Sequence, residues 1–394
     1  MAFNFVCDRR VGNRAYPALA QHQAEPYTPG WREYLDHWPQ TVPCELIEHC
    51  QSYDFPYNLW TTEEDYPDGS LYLIGIGFFN FTVDYFGLMT DTVRTTLRSG
   101  RLLAMFYYHE GDNPWHIQAR LNSLCQLHNL PVTCYRFVSG NSAADQIPNF
   151  FFFPDHELLY HRRNKDTPAL PIHSGPRSRD FTVLSRTHKW WRASIMSDLH
   201  RNQLLANSYW SYSTDVSINE DPADNPIEVD ELNLHRYMQN FLAGAPYTCD
   251  TLSSEQHNDH SLVEPKHYQD SYCNIILETL YDTDNSGGAF LTEKTFKVIK
   301  HGQPFVIAGA PGSVAALGNI GFRLFHHAVD HSYDLETDPT RRWQLLFREI
   351  ARIKDLDLPT WFESCREDIE FNQRLFSRSR HRRLNSLFIK LINS

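Results

Sequence analysis

Residues Leu71 to Phe81 read LYLIGIGFFNF, an almost unbroken apolar run without a charge. A strand that is apolar on both faces has to be covered on both faces, as in a parallel sheet flanked by helices. The next segments fit that expectation: helical spacing over Val83 to Leu97, a second buried strand over Leu102 to Tyr108, a helix over Pro114 to Leu127, and a third strand over Val132 to Val138. Proline at the first helical turn supports the start at Pro114. Two βαβ units in succession imply right-handed crossovers and a parallel sheet.

The pattern is interrupted by TPALPIHSGPRSRD (Thr167 to Asp180), whose proline and glycine spacing suits a linker between domains. A second α/β pattern then begins with a strand over Phe181 to Ser185 and helical residues to about Leu205. It continues with a strand over Cys273 to Leu280, a helix from Thr292 and a strand over Pro304 to Ala308. Residues 219–226 and 253–270 read as polar loops rich in His and Asp, and the chain from Arg341 is helical and charged. The expected fold is α/β: two Rossmann-like domains facing a cleft, over 1–170 and 181–355, joined by a linker at 171–180 and followed by a helical tail at 356–394.

Composition narrows the function classes. The 394 residues suffice for two domains, and an apolar fraction of 41% with 25 Phe, 20 Tyr and 9 Trp fills large cores. A net charge of -12 argues against a protein that coats nucleic acid wholesale, though not against a local basic groove. The eight cysteines show no metal-finger spacing and sit in apolar runs, which predicts buried free thiols in a reducing compartment. No basic start with an apolar core opens the chain and no run reaches membrane-spanning length, so a cytoplasmic location is expected, the host cytoplasm if the source is viral.

Three patches carry residues with chemistry. The first is FLTEKTFKVIKHGQPFVIAGAPG, from Phe290, with Thr292-Glu293-Lys294 at a helix start. A carboxylate there can accept from ribose hydroxyls while an ammonium neutralises a diphosphate, and helix N-terminal amides add partial positive charge. The plain alternative is a surface helix capped by Thr292. In the second patch the strand ending at Tyr108 runs into His109-Glu110-Gly111-Asp112-Asn113-Pro114. Carboxyl ends of parallel strands hold ligands, so Glu110 could take a proton from an acceptor hydroxyl. Against it stands an exposed loop acid beside a helix capped by Asp112. The third is SRTHKWWRAS, where Arg186, Lys189 and Arg192 follow a strand and can neutralise a diphosphate, or else form a solvated basic face beside core tryptophans.

These patches resemble the donor and base motifs of the α1,3-fucosyltransferase family, and cover about a quarter of the chain. That family has a Y/F-x-T-E-K-L/F segment before a helix, a small-residue turn and a strand ending in Gly; here Gly309-Ala310-Pro311-Gly312 departs from it. By matching position the resemblance makes Glu293 and Lys294 donor ligands, Glu110 the base in a segment similar to G-E-N, and Arg192 the diphosphate arginine. Arg186 stands where the family often has Asn. Phage-type glycosyltransferase-like chains with a TEKTFK…GQPF…GAPG run are similar too. The resemblance implies a GT-B-like, inverting enzyme, with the acceptor bound by the first domain and the nucleotide sugar by the second; with Lys189, Arg192 and Lys294 to stabilise the departing diphosphate, a catalytic metal is unnecessary.

Other clusters have weaker spacing. His326, His327 and His331 with Asp330 and Asp334, and the segment Glu255 to His260, lack fixed zinc-ligand spacing. Asp282 and Asp284 follow a strand and are the main alternative, a magnesium-dependent phosphoryl or nucleotidyl transferase; a loop over the nucleotide is the other reading of DTDNSGG. Arg374, Arg378 and Arg382 share i,i+4 spacing and would form a phosphate-binding stripe or pair with acids over Glu363 to Glu370. The expectation is a glycosyltransferase with a nucleoside diphosphate sugar as co-substrate, no cofactor, no metal and no membrane partner. Its acceptor is a polymer, hydroxymethylpyrimidine DNA or a glycan, with Tyr107, Tyr108 and Trp115 as stacking candidates. The rival class is a nucleotide- or nucleic-acid-binding module without turnover.

Overall fold

The computed structural model describes residues 3–7, 45–62, 64–76, 79–214, 221–249, 263–282 and 287–394. Contacts divide the chain into two units, Met1–Asp155 with Arg380–Ser394, and His156–Ser379. The first unit runs β1 (Phe3–Cys7), α1 (Glu45–Ser52), β2 (Tyr57–Thr61), β3 (Ser70–Ile76), α2 (Asp91–Arg98), β4 (Leu102–Tyr108), α3 (Pro114–Leu127), β5 (Tyr135–Ser139) and β6 (Phe150–Phe152). Its strands form one parallel sheet in the order β2-β1-β3-β4-β5-β6.

Apolar runs became the central strands, because only a strand with neighbours and helices on both sides can bury every residue. β4 and β3 pair from Ser70↔Leu102 to Ile76↔Tyr108, and β5 is buried throughout. Phe106 lies in the middle, with ring centroids 5.8 Å from Phe86 and 6.1 Å from Phe137. Truncating such a ring to alanine costs about 3–5 kcal/mol. The helix expected from Val83 begins only at Asp91: Thr90 is its cap, its hydroxyl accepting from the Val93 amide at 3.3 Å. Turns precede it, with the Asp84 carboxylate accepting from the Gly87 amide.

The second unit takes up α4 (Asp155–Arg163) from His156 onward, then β7 (Arg179–Ser185), α5 (Trp190–Arg201), β8 (Tyr209–Tyr212), α6 (His235–Ala243), α7 (Pro265–Gln269), β9 (Ser271–Leu277), α8 (Glu293–Lys300) and β10 (Phe305–Ala308). The helices α9 (Ser313–Asn319), α10 (Pro339–Lys354), α11 (Leu358–Ser364) and α12 (Arg366–Arg378) follow. The strands form a parallel sheet in the order β10-β9-β7-β8. β9 is buried at every position, and α5 at nearly every one, so a buried acid on it must be paired. Asp198 is: it accepts from the Trp343 indole at 2.9 Å and from Arg201 at 2.7 Å.

Two expectations about domain organisation are corrected. The segment 171–180 is not a free linker, because Ile172 packs on the second core and the Arg177 guanidinium is buried, donating to the Tyr268 and Ser271 carbonyls. Nor is 356–394 a separate tail. α11 and α12 belong to the second unit, whereas α13 (Arg380–Asn393) returns to the first, with Phe388 stacked 3.9 Å from Phe3 and Lys390 paired with Asp145 at 2.7 Å. An amphipathic helix joins whichever core its apolar face fits, and sequence distance does not decide that. Of the eight cysteines, Cys50, Cys125, Cys134, Cys273 and Cys365 are buried free thiols and Cys249 is a half-buried one.

Candidate active site

The donor-type motif in the second unit is organised from beneath by a residue outside the motif. Glu278, directly after β9, is fully buried. Its carboxylate accepts from the Thr292 amide at 3.2 Å, the Thr292 hydroxyl at 2.6 Å, the Thr295 hydroxyl at 2.6 Å and the Thr279 amide at 3.2 Å. A buried carboxylate is tolerated only with such a set of donors, and the positive end of α8 adds to it. Glu278 thus places one carboxylate beneath this helix start from within. The Thr292 amide serves Glu278 and the Lys294 amide serves the Thr292 hydroxyl.

What the motif offers outward is side chains. Lys294 Nζ lies 3.0 Å from Glu293 Oε1 and 3.2 Å from the hydroxyls of Thr279 and Thr292. Glu293 Oε2 lies 3.8 Å from His156 Nδ1. Both side chains are partly exposed, at 31% for Lys294 and 15% for Glu293.

Across the same strand ends, β7 leads into Arg186, Thr187, His188 and Lys189 before α5. The His188 Nδ1 and the Tyr212 hydroxyl are 2.6 Å apart, which ties this turn to β8. Arg192 is buried, and its guanidinium donates to the carbonyls of Glu278 at 2.5 Å, Leu277 at 3.3 Å and Thr187 at 3.3 Å. It thus ties the carboxyl end of β9 to the turn after β7 and brings a fixed positive charge there.

These side chains line one cavity of about 240 Å³. Arg186, Lys189, Arg192, Glu293 and Lys294, all singled out from the sequence, stand in its wall. The sequence reading missed Lys297, Glu264, His267 and Tyr268, which line it as well. Lys297 had a signal: it lies three residues after Lys294 on α8, so the two share a face. The other three had none, since α7 and its cap residue Glu264 reach the cavity through tertiary packing. Among the described residues, five cationic side chains against two carboxylates, Glu264 and Glu293, make a wall suited to a polyanion.

In the first unit Glu110 follows the carboxyl end of β4, as expected. Its Oε1 lies 3.3 Å from His109 Nε2, and His109 Nδ1 lies 3.2 Å from Glu45 Oε2 on α1. Burial opposes charge on His109, but Glu110, Glu45 and Asp155 outweigh it and raise the imidazole to about 9. The loop is fixed by the Asn141 side-chain amide, which donates to the Gly111 carbonyl at 2.8 Å. The helix cap is Asn113, accepting from the Trp115 amide at 3.0 Å, and not Asp112. Asp112 instead accepts from the Tyr108 hydroxyl.

Several further candidates are redistributed. Tyr107 and Tyr108 are buried and cannot stack on a base, whereas Trp115 is 44% exposed. The arginine stripe is broken at Ser379, since Arg374 and Arg378 lie on α12 and Arg382 on α13; Arg374 lies 3.6 Å from Glu370 on its own helix. Among the described residues no group of three or more His, Cys, Asp or Glu is placed to hold a metal ion. His331 instead contacts the Leu324 carbonyl and the Tyr333 hydroxyl, and Asp334 accepts from the Val314 and Ala315 amides that open α9. Asp284 and the Glu255 to His260 segment lie outside the described residues. No described helix is long and apolar enough to cross a membrane.

No family model matches the chain, and no curated protein does. Solved structures of β-glucosyltransferase do match. A T4 phage mutant in complex with UDP-glucose aligns at 10% identity over 100% of both chains, with a TM-score of 0.36. The T4 phage protein with UDP and Mn2+ aligns at 11% over 99% of both, with a TM-score of 0.35. A structure described as the DNA-modifying enzyme β-glucosyltransferase, with and without uridine diphosphoglucose, aligns at 12% over 89% of this chain and 92% of that one, with a TM-score of 0.38.

Proposed function

We propose that the protein is a glycosyltransferase that uses a nucleoside diphosphate sugar. The observation that carries this reading is the convergence of Arg186, Lys189, Arg192, Lys294 and Lys297 with Glu293 on one cavity at the carboxyl ends of β7 and β9. In an open parallel sheet that edge is where ligands bind. The cations offset the diphosphate and stabilise the charge that grows on it as it leaves, while Glu293 accepts from ribose hydroxyls. Arg192 acts with its charge in place and its Nη donors committed to backbone carbonyls.

In the proposed reaction Glu110 takes the proton of the acceptor hydroxyl. The acceptor oxygen bonds to the anomeric carbon as the bond from that carbon to the diphosphate oxygen breaks, and the nucleoside diphosphate departs with the electron pair. Inversion follows from a single displacement, and the cations take the role a metal would otherwise have. The acceptor is a polymer hydroxyl, on hydroxymethylpyrimidine DNA or on a glycan. Incubating the protein with a panel of nucleotide sugars and both acceptor classes tests this, by release of nucleoside diphosphate and by mass analysis of the acceptor. Donor hydrolysis or transfer is expected. Binding without any turnover would leave the rival, a non-catalytic module.

A further inference from the structure

We propose, resting on the reading of Glu110 as the base, that His109 is its positioning residue: an imidazole anchored by Glu45 that fixes the Glu110 carboxylate and sets a positive charge beside it. Both ring nitrogens face carboxylate oxygens, Nδ1 toward Glu45 Oε2 at 3.2 Å and Nε2 toward Glu110 Oε1 at 3.3 Å. Two carboxylates within ion-pair distance of one imidazole favour its protonated form by charge.

The surroundings point the same way. Glu45 and His49 come from α1, Tyr107 and Tyr108 from β4, Glu110 and Asp112 from the following loop, and Asp155 from the start of α4. Asp155 lies 2.8 Å from His49 Nε2 and accepts from the Tyr107 hydroxyl. Tyr108, whose ring centroid is 6.5 Å from that of His109, donates to Asp112. Arg380 of α13 lies over the ring of Tyr53, which stacks on His49. Three acids lie within electrostatic reach of His109: burial opposes its charge, yet Glu110, Glu45 and Asp155 raise it to about 9.

The charge balance explains why such a clamp suits a base. Glu45 and Glu110 with one imidazolium carry a single net negative charge. When Glu110 takes a proton the cluster becomes neutral, with Glu45 and His109 still paired. The imidazolium keeps Glu110 ionised and aimed before the reaction, and the second carboxylate preserves its appetite for a proton.

The test uses the full chain labelled at histidine and followed by NMR across pH. The His109 resonance, assigned by its loss in His109→Gln, should titrate near 9, and Glu45→Gln and Glu110→Gln should each lower that midpoint by about one pH unit or more. A midpoint near 6.5, unmoved by either substitution, overturns the clamp. In transfer assays His109→Gln should lower kcat by roughly 10–100-fold with donor KM unchanged and shift the acid limb of the rate to higher pH. An acid limb that stays in place overturns the positioning role. If no donor and acceptor pair turns over, the proposed function fails while the resonance still decides the clamp.

Discussion

The carboxylate of Glu278 accepts the Thr292 hydroxyl at 2.6 Å, fourteen residues along the chain, and so locks the start of α8 onto the end of β9. The most sequence-distinctive segment of the protein is held by a residue that nothing in the segment announces. Glu278→Ala would strand the hydroxyls of Thr292 and Thr295 in the interior. We expect a loss of roughly 3 kcal/mol in urea unfolding, with donor binding weakened in the variant that still folds. Unchanged stability would mean that the buried acid is not holding the helix.

Glu293→Ala, Lys294→Ala and Lys297→Ala should each weaken nucleotide-sugar binding while leaving unfolding midpoints nearly unchanged, since all three line the cavity without closing a core. The expected scale is about 1.5–3 kcal/mol per charge-assisted contact, read by calorimetry or by thermal shift against a donor panel. Parent-like affinity in all three would remove the donor from this cavity.

Glu110→Gln should retain donor affinity and cut transfer by roughly 10²–10⁴-fold. The substitution keeps size and can keep the contact to His109 Nε2, at 3.3 Å in the parent, so lost turnover reports lost basicity. Parent-like turnover would move the role to another group.

Stability should depend on His109 over a defined window. Its folded value of about 9 lies above the ordinary 6.5, so the charged imidazole stabilises fully below pH 6.5, and that contribution disappears as pH rises through 9. The ceiling is about 3 kcal/mol. Urea midpoints of the parent and of His109→Gln, compared at pH 6 and pH 9.5, should therefore differ more at the lower pH. A difference that is constant across this range would contradict the assignment.

Transfer should survive EDTA, because Arg186, Lys189, Arg192, Lys294 and Lys297 supply positive charge at the cavity. Complete loss with chelator and recovery with magnesium or manganese would shift attention to Asp282 and its neighbours.

Much of the architecture was legible along the chain. LLAMFYY over Leu102 to Tyr108 and SYCNIIL over Ser271 to Leu277 are runs that only a covered parallel strand buries, and strands formed there. The cations after β7 and the Thr292-Glu293-Lys294 start of α8 were legible too, because strand ends and helix starts are local features with local residue preferences. What required the folded chain was every relation between distant segments. Arg192 reads as a ligand for phosphate, yet its Nη donors go to the carbonyls of Thr187, Leu277 and Glu278. Glu45 and Glu110 are separated by sixty-five positions, and both lie within ion-pair distance of His109. α13 follows α12 directly and nevertheless folds onto the first sheet. Periodicity records which face of a segment avoids water. Which partner covers that face, and which charge answers a buried one, is settled by close packing and hydrogen-bond satisfaction across the whole molecule.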